Sequence, residues 1–520
     1  MLSNSTRAYG GLGGVVESAD LFVMENGATL QTTETVTQGS PMKMEGKDGG
    51  CVENLKDFIV ETPVEGTLLT KKGDGWMKLN TVCPSLERLA INGGTVQCVA
   101  CDRPAQTVEF ISGTLYENTG SSYAIHVPEG GSGTWSLANR STYNNKITGE
   151  GTLTIYCAVE HGNGWFATRT PVAVNLSLFT GTINATADMA DSYPRFTLNT
   201  SSGMPDGTLN ITAGVTVQNT GRTFRIGKLA GKGTLGGYAS FANDGATGVN
   251  TWQVGCDDDF AWAGTVTANS KFEKVGSGKM TVSGVWDNTG EVAVKEGTLC
   301  LNDRSAENAM LGSGELSVED GAVLCGMGKL GNASVTVERG GRLYSGTREG
   351  ASSGTLDFSG KRLTVSTGGE VLFNVASKVR CTTLEGISSF SLRGTLKVSV
   401  REGLELEAGD EFQLWVANRT ALSSACTLDL DSPGEGLEWD TSALENGILK
   451  VKTATGITGV VSGEPVDCVV YTLDGARAGS FTCMPSEVGE YMERNGFRSG
   501  MYMVKMTQGQ RTESRKVTVD

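Results

Sequence analysis

Long apolar runs, histidine, proline and positive charge are all scarce in this chain, and each shortage removes a class of protein. Nowhere do the 520 residues hold the roughly 18 consecutive apolar residues of a membrane-spanning helix. Only His126 and His161 are present, so Ser-His-Asp or Cys-His catalysis would need one of them in a positioned constellation. His126 lies in the alternating run Tyr123-Ala124-Ile125-His126-Val127 and His161 in the turn Glu160-His161-Gly162-Asn163-Gly164. Both read as exposed or hydrogen-bonded structural residues. Lys and Arg total 43 against 58 Asp and Glu, a net charge of −15, which argues against nucleic acid and anionic lipid as partners. Proline, at 11, is low, whereas glycine, at 72, is about twice its usual share. A flexible linker protein is rich in both, so these glycines read as turn positions that need positive φ.

What is abundant is one triplet. Gly-Thr-Leu begins at Gly66, Gly113, Gly151, Gly207, Gly233, Gly297, Gly354 and Gly394, and variants ending in Val or Ile begin at Gly94, Gly181 and Gly264. From Gly151 to Gly297 the steps are 30, 26, 26, 31 and 33 residues, a solenoid period. Several copies continue as polar-apolar alternation, as in Thr152-Leu153-Thr154-Ile155, which is a turn followed by a strand with one buried face. A chain of β-sandwiches would instead place turn signals every 8–12 residues or so. A coil of about 25 residues costs roughly 1–2 kcal/mol per residue in backbone entropy. Some six inward aliphatic residues return about 1.5–3 kcal/mol each. Single coils therefore do not fold, and stacking is required. The spacing predicts one parallel β-helix over about residues 20–451, with Gly151, Gly207 and Gly233 at equivalent corners of successive coils.

Two distant segments also match without gaps. Lys71-Lys72-Gly73-Asp74-Gly75 lies over Lys274-Val275-Gly276-Ser277-Gly278, and Leu89–Val96 lies in the same register over Val292–Leu299. This Lys-x-Gly-x-Gly block, followed by a strand and Gly-Thr-apolar, resembles the passenger-associated transport repeats of autotransporter-like surface proteins. The fullest copy runs from Phe272 to Gly284 and on through Val292 to Leu299, and the stretch Gly436–Val451 resembles the segment that closes such arrays. The resemblance implies a right-handed parallel β-helix, export and a surface location, but no reaction.

After the small-residue linker Thr453-Ala454-Thr455-Gly456-Ile457-Thr458-Gly459 the pattern changes. Val470-Tyr471-Thr472-Leu473-Asp474-Gly475, Ser499-Gly500-Met501-Tyr502-Met503-Val504-Lys505 and the terminal Lys516-Val517-Thr518-Val519 resemble the C-terminal sorting domain of the Bacteroidetes type IX secretion system. That family implies a small β-sandwich over residues 460–520, joined by a linker over 452–459 to the β-helix of 1–451, and the type IX machinery as partner. Tyr471, Leu473, Asp474, Gly475, Gly500, Tyr502, Val504 and Lys505 would carry the signal. An immunoglobulin-like accessory module is the plain alternative. The first residues, Met1-Leu2-Ser3-Asn4-Ser5-Thr6-Arg7, lack a basic and apolar leader, so either the start codon is miscalled or, the favoured expectation, the chain continues a longer precursor.

Chemistry-bearing clusters are few. Asp257, Asp258 and Asp259 form the sharpest acidic group, yet the Asn-Thr-Asp, Gly-His-Gly and Arg-Ile-Lys companions of polygalacturonases do not accompany them in order. A solvated loop is expected; calcium is the one cofactor such carboxylates would admit. Twelve cysteines are scattered, with one Cys-x-x-C at Cys98 and Cys101 and no second pair at zinc-ribbon spacing. Buried structural thiols are expected, as at Cys300, with metal binding or a redox pair at Cys98 and Cys101 as the alternative and a bridge between Cys468 and Cys483 left open. Tyr116, Trp135, Trp165, Phe166, Trp252 and Trp262 would stack on sugar rings if exposed and plug solenoid corners if not. The expected protein is an all-β, secreted or surface-displayed scaffold, an adhesin, stalk or glycan-contacting spacer. A β-helical polysaccharide lyase or hydrolase, or an accessory part of a larger secreted enzyme, is the alternative.

Overall fold

The protein, seen as a computed structural model, is described over residues 7–8, 21–117, 121–137, 143–157, 171–187, 195–198, 200–219, 221–237, 249–267, 270–302, 310–351, 353–454, 463–509 and 511–519. Its residues form a parallel β-solenoid, followed by small antiparallel sheets. Strands of successive coils pair in parallel register, typically about 20 residues apart, as for Arg88 with Thr107 and Leu316 with Val335. Alternation then aligns like with like along the stack. One inward column runs Phe224, Trp252, Phe272, Val292, Leu316, Val335, Leu363 and Phe390, each residue opposite the next. A second runs Met280, Leu299, Leu324, Leu343, Val371 and Leu396, and all the members of both columns are buried. Each such side chain contributes roughly 1.5–3 kcal/mol by leaving water.

The glycine triplets occupy corners, but not one corner. Thr182 N–H donates to the Gly151 carbonyl at 3.0 Å and Thr208 N–H to that of Gly181 at 2.9 Å, so Gly151, Gly181 and Gly207 form one column. A Cβ on Gly181 would lie 2.0 Å from the Gly151 oxygen, which leaves glycine alone able to fit. Gly233 stands elsewhere: Thr234 donates to Val215, Thr265 donates to Gly233, and the next glycine in that column is Gly264. The equivalence expected for Gly233 is therefore corrected. One coil separates Thr208 from its partner Lys228, and Gly233 comes a few residues later at the following corner. A turn plus a strand start is what any corner requires, so the triplet marks corners without saying which.

The duplicated block has a structural meaning. Lys71 is fully buried, and its ammonium donates to the carbonyls of Lys72 (2.8 Å), Gly73 (2.7 Å) and Gly93 (3.3 Å). Buried Lys274 donates to Val275 (3.0 Å), Gly276 (2.7 Å) and Glu296 (3.1 Å), the same three places relative to the lysine. Each lysine thus ties a corner to the next coil by charge-assisted hydrogen bonds. Desolvation pushes both ammonium groups down to about 8.

Parallel pairing ends at Thr427–Leu430. Residues 402–412, 431–444 and 448–520 form a second compact unit. It contains the antiparallel pair Leu437–Asp440 and Ile448–Thr453 and a four-stranded antiparallel sheet. In that sheet Arg477–Cys483, Val466–Thr472, Gly500–Gln508 and Arg511–Val519 lie side by side in this order. The C-terminal module, expected as a small β-sandwich, carries one small antiparallel sheet. Its second layer is the helix Val488–Arg494, whose Val488 and Met492 share a core with Val470, Tyr502 and Val504.

Candidate functional sites on the solenoid flank

An open groove of about 570 Å³ runs along one flank, lined by Lys47, Glu87, Arg88, Gln106, Glu109 and His126 among others. Parallel register creates it. Ala90, Glu109, His126 and Thr148 follow one another on successive coils, and Arg88 sits two residues before Ala90 on the same face. Arg88 Nε lies 3.6 Å from Glu109 Oε2, and His126 Nδ1 lies 3.1 Å from Thr148 Oγ1. His126 is thus hydrogen-bonded and half-buried, as expected from its strand position. A carboxylate, a guanidinium and an imidazole share this groove, a set suited to holding a polar, ring-hydroxylated ligand.

Past the corner at Gly94 and Gly113 the flank changes character. A shallower groove of about 270 Å³ is lined by Thr114, Ser132, Thr134, Thr152 and Thr154 with Gly113 and Gly133. Thr95, Thr114, Thr134 and Thr154 are successive partners, so the hydroxyls form a ladder at the roughly 4.8 Å coil spacing. At its edge, partly exposed Trp76 meets Tyr116 edge-on, with ring centroids 5.9 Å apart.

Inside the coils, below these grooves, lies a polar cluster of a different kind. Glu117 is fully buried; Tyr123 Oη donates to its Oε1 at 2.5 Å and Trp135 Nε1 to its Oε2 at 2.8 Å, with Ser121 Oγ 3.0 Å from Oε2. Asn145 closes the cluster, its Oδ1 2.9 Å from Ser121 Oγ and its Nδ2 donating to the Tyr123 carbonyl at 3.0 Å. Burial raises the Glu117 carboxyl to about 7, against the pull of its three donors. Nothing in the sequence separated Glu117 from its neighbours except an acid at an inward strand position. The site is sealed from solvent, and its donors hold a structural carboxyl.

The three clustered aspartates do not converge. Asp257 Oδ1 accepts from Ser277 Oγ at 2.8 Å, Asp258 Oδ2 accepts from Lys228 Nζ at 2.6 Å, and Asp259 Oδ1 accepts from Lys279 N–H at 2.8 Å. Each carboxylate ties a loop to a neighbouring coil. Among the described residues no group of three or more His, Cys, Asp or Glu side chains is arranged to hold a metal ion. Trp135, Trp252 and Trp262 are buried plugs, so of the aromatics singled out only Tyr116 stands on the flank, while Trp165, Phe166 and His161 lie outside the described residues. Trp76, not singled out, is its partner.

The C-terminal motif residues divide by exposure. Val504 and Tyr502 are buried, opposite Val470 and Thr472, and Tyr502 Oη donates to the Arg498 carbonyl at 2.9 Å. Tyr471 pairs with Met503 and Val469 with Lys505. Asp474 and Gly475 make the hairpin turn: Asp474 takes the Thr472 hydroxyl, Gly475 has a φ of 87° and its N–H donates to the Thr472 carbonyl at 2.9 Å. Leu473 and Met501 are exposed at the same end of the sheet as that turn and Gly500. Cys468 faces Phe481 while Cys483 faces Val466; the two are free thiols, offset by two residues. Cys98 and Cys101 are free and buried. No helix among the described residues is long and apolar enough to cross a membrane. Compared with known proteins, the chain matches no family model and no curated protein sequence.

Proposed function

We propose that this chain is a non-catalytic, secreted or surface-displayed β-helix scaffold whose flank contacts glycans. The observation that carries the reading is the outward strip on which Trp76 and Tyr116 stand beside the hydroxyl ladder Thr95, Thr114, Thr134 and Thr154. An aromatic face beside ordered hydroxyls is the chemistry that engages a sugar ring. Binding of a polysaccharide panel by the wild type, and its loss of at least about tenfold in Trp76→Ala, tests this; equal binding by the variant overturns it. Export by the type IX machinery rests on the motif residues Tyr471 to Gly475 and Gly500 to Lys505, with Leu473 and Met501 exposed at one end of the module. Removing residues 460–520 from the full precursor should leave the protein in the periplasm of a type IX-competent host. Export of the truncated form as efficiently as the intact one refutes the sorting role. A polysaccharide lyase or hydrolase is the second reading, favoured by Glu109, Arg88 and His126 in one groove. Cleavage of acidic polysaccharides, with or without calcium, would establish it over the scaffold.

A further inference from the structure

Cys300 and Cys325 are adjacent in a way that no other pair of described cysteines is: they are direct register partners on consecutive coils. Their strands turn Leu299, Leu301 and Leu324 into the solenoid core, so both thiols point away from it. They are nevertheless fully buried. With Tyr344 and Leu372, the next two residues of the same column, they form a small apolar cluster separate from the main core. The segment after Ser345 provides its cover. Thr347 carbonyl lies 3.8 Å from Cys300 Sγ and accepts from Lys279 Nζ at 2.5 Å. Arg342 anchors this segment, bonding Glu349 at 3.0 Å and Glu370 at 2.9 Å.

We infer that Cys300 and Cys325 are an oxidation site at which a small-molecule disulfide or thiol oxidase installs a bond stapling two consecutive coils. Neighbouring strands lie about 4.8 Å apart, inside the about 4.4–6.8 Å Cα separation that a disulfide spans. The two thiols are hydrogen-bonded to one another, and the Lys279 ammonium lies beside them. The Cys325 thiol and then Lys279 hold Cys300 below the ordinary thiol value, whereas Cys325 is pushed up by its partner and by burial. Burial also pushes Cys51, Cys83, Cys381 and Cys426 up. Cys300 Sγ and Lys279 Nζ share the Thr347 carbonyl, so Cys300 is the sulfur beside the ammonium and serves as the attacking one, with Cys325 resolving.

With oxidised glutathione the balance is simple. Cys300 thiolate attacks one glutathione sulfur, the glutathione S–S bond breaks, and one glutathione thiolate leaves and takes a proton. Cys325 then loses its proton and attacks Cys300 Sγ, expelling the second glutathione as a thiol. Two protein thiols and one disulfide become one protein disulfide and two glutathione thiols. The reaction belongs to folding, before residues 346–351 close over the pair.

Refolding the reduced, denatured full chain in a glutathione redox buffer tests this, followed by blocking of free thiols with N-ethylmaleimide and non-reducing peptide mapping. The expected peptide map includes a linked peptide joining Cys300 to Cys325. Refolding should carry a thermal midpoint several degrees above that of the same protein refolded with reductant, a difference absent in Cys325→Ser. Recovery of Cys300 as its maleimide adduct, as a lasting glutathione adduct or bridged to a different cysteine would overturn the assignment. Peptide mapping of the wild type decides the matter even if Cys325→Ser fails to fold.

Discussion

Glu117 offers the sharpest test of the interior. Its carboxyl stands at about 7 instead of 4.5 because burial outweighs the hydrogen bonds from Tyr123, Trp135 and Ser121. Between these values the folded protein holds a proton that the unfolded chain has released. The folded state binds more protons there, so stability falls as pH rises through the window from 4.5 to about 7. The contribution is complete below 4.5 and gone above about 7. At about 1.36 kcal/mol per pH unit the interval is worth about 3 kcal/mol. Glu117→Gln keeps the shape and an accepting oxygen but cannot titrate. Urea unfolding of both proteins at pH 5 and pH 8 gives a double difference in which every other titrating group cancels. Wild type should lose about 2–3 kcal/mol more than the variant on going to the higher pH. Identical pH slopes for the two proteins would show that Glu117 is ionised throughout, and the burial argument would be wrong.

Three further outcomes follow from the corners and loops. Lys274→Met strands the carbonyls of Val275, Gly276 and Glu296 and should cost about 2–4 kcal/mol in urea unfolding, against about 0.5 kcal/mol or less for exposed Lys271→Met. Gly181→Ala drives a Cβ to 2.0 Å from the Gly151 oxygen, so its melting temperature should fall well below that of Gly130→Ala, where no atom lies within 4 Å and only the strain of a φ of 72° opposes the methyl. Millimolar calcium or a chelator should leave the melting temperature unchanged, because Asp257, Asp258 and Asp259 each bond a different partner; a rise of several degrees with calcium refutes that reading.

The residues show where sequence pattern suffices and where it runs out. Alternation was enough for the inward columns, because a period of two on stacked coils leaves one face for each apolar side chain. The Lys-x-Gly-x-Gly duplication was visible as letters, and the structure supplies its cause in Lys71 and Lys274, which repeat one set of three carbonyl bonds. Corner identity was not legible, since Gly207 and Gly233 carry the same triplet at different corners. Coil lengths vary, so register between distant residues cannot be counted off. For that reason Glu109 beside His126, Trp76 beside Tyr116, and Cys300 opposite Cys325 emerge only when the coils are stacked. Trp135, Trp252 and Trp262 look alike with Trp76 in sequence, and only packing separates plugs from platform.

The parallel ladder has a mechanical consequence. Hydrogen bonds between coils run along the stacking direction, so a pull along it loads all the bonds of one coil together and successive coils in series. The array would then yield one coil at a time, each releasing about 20 residues, such as those between Leu316 and Val335, or about 65 Å of extended chain. Displayed at a surface under flow, such a protein would lengthen in steps and keep its remaining coils folded. A covalent link between Cys300 and Cys325 would withhold one of those steps.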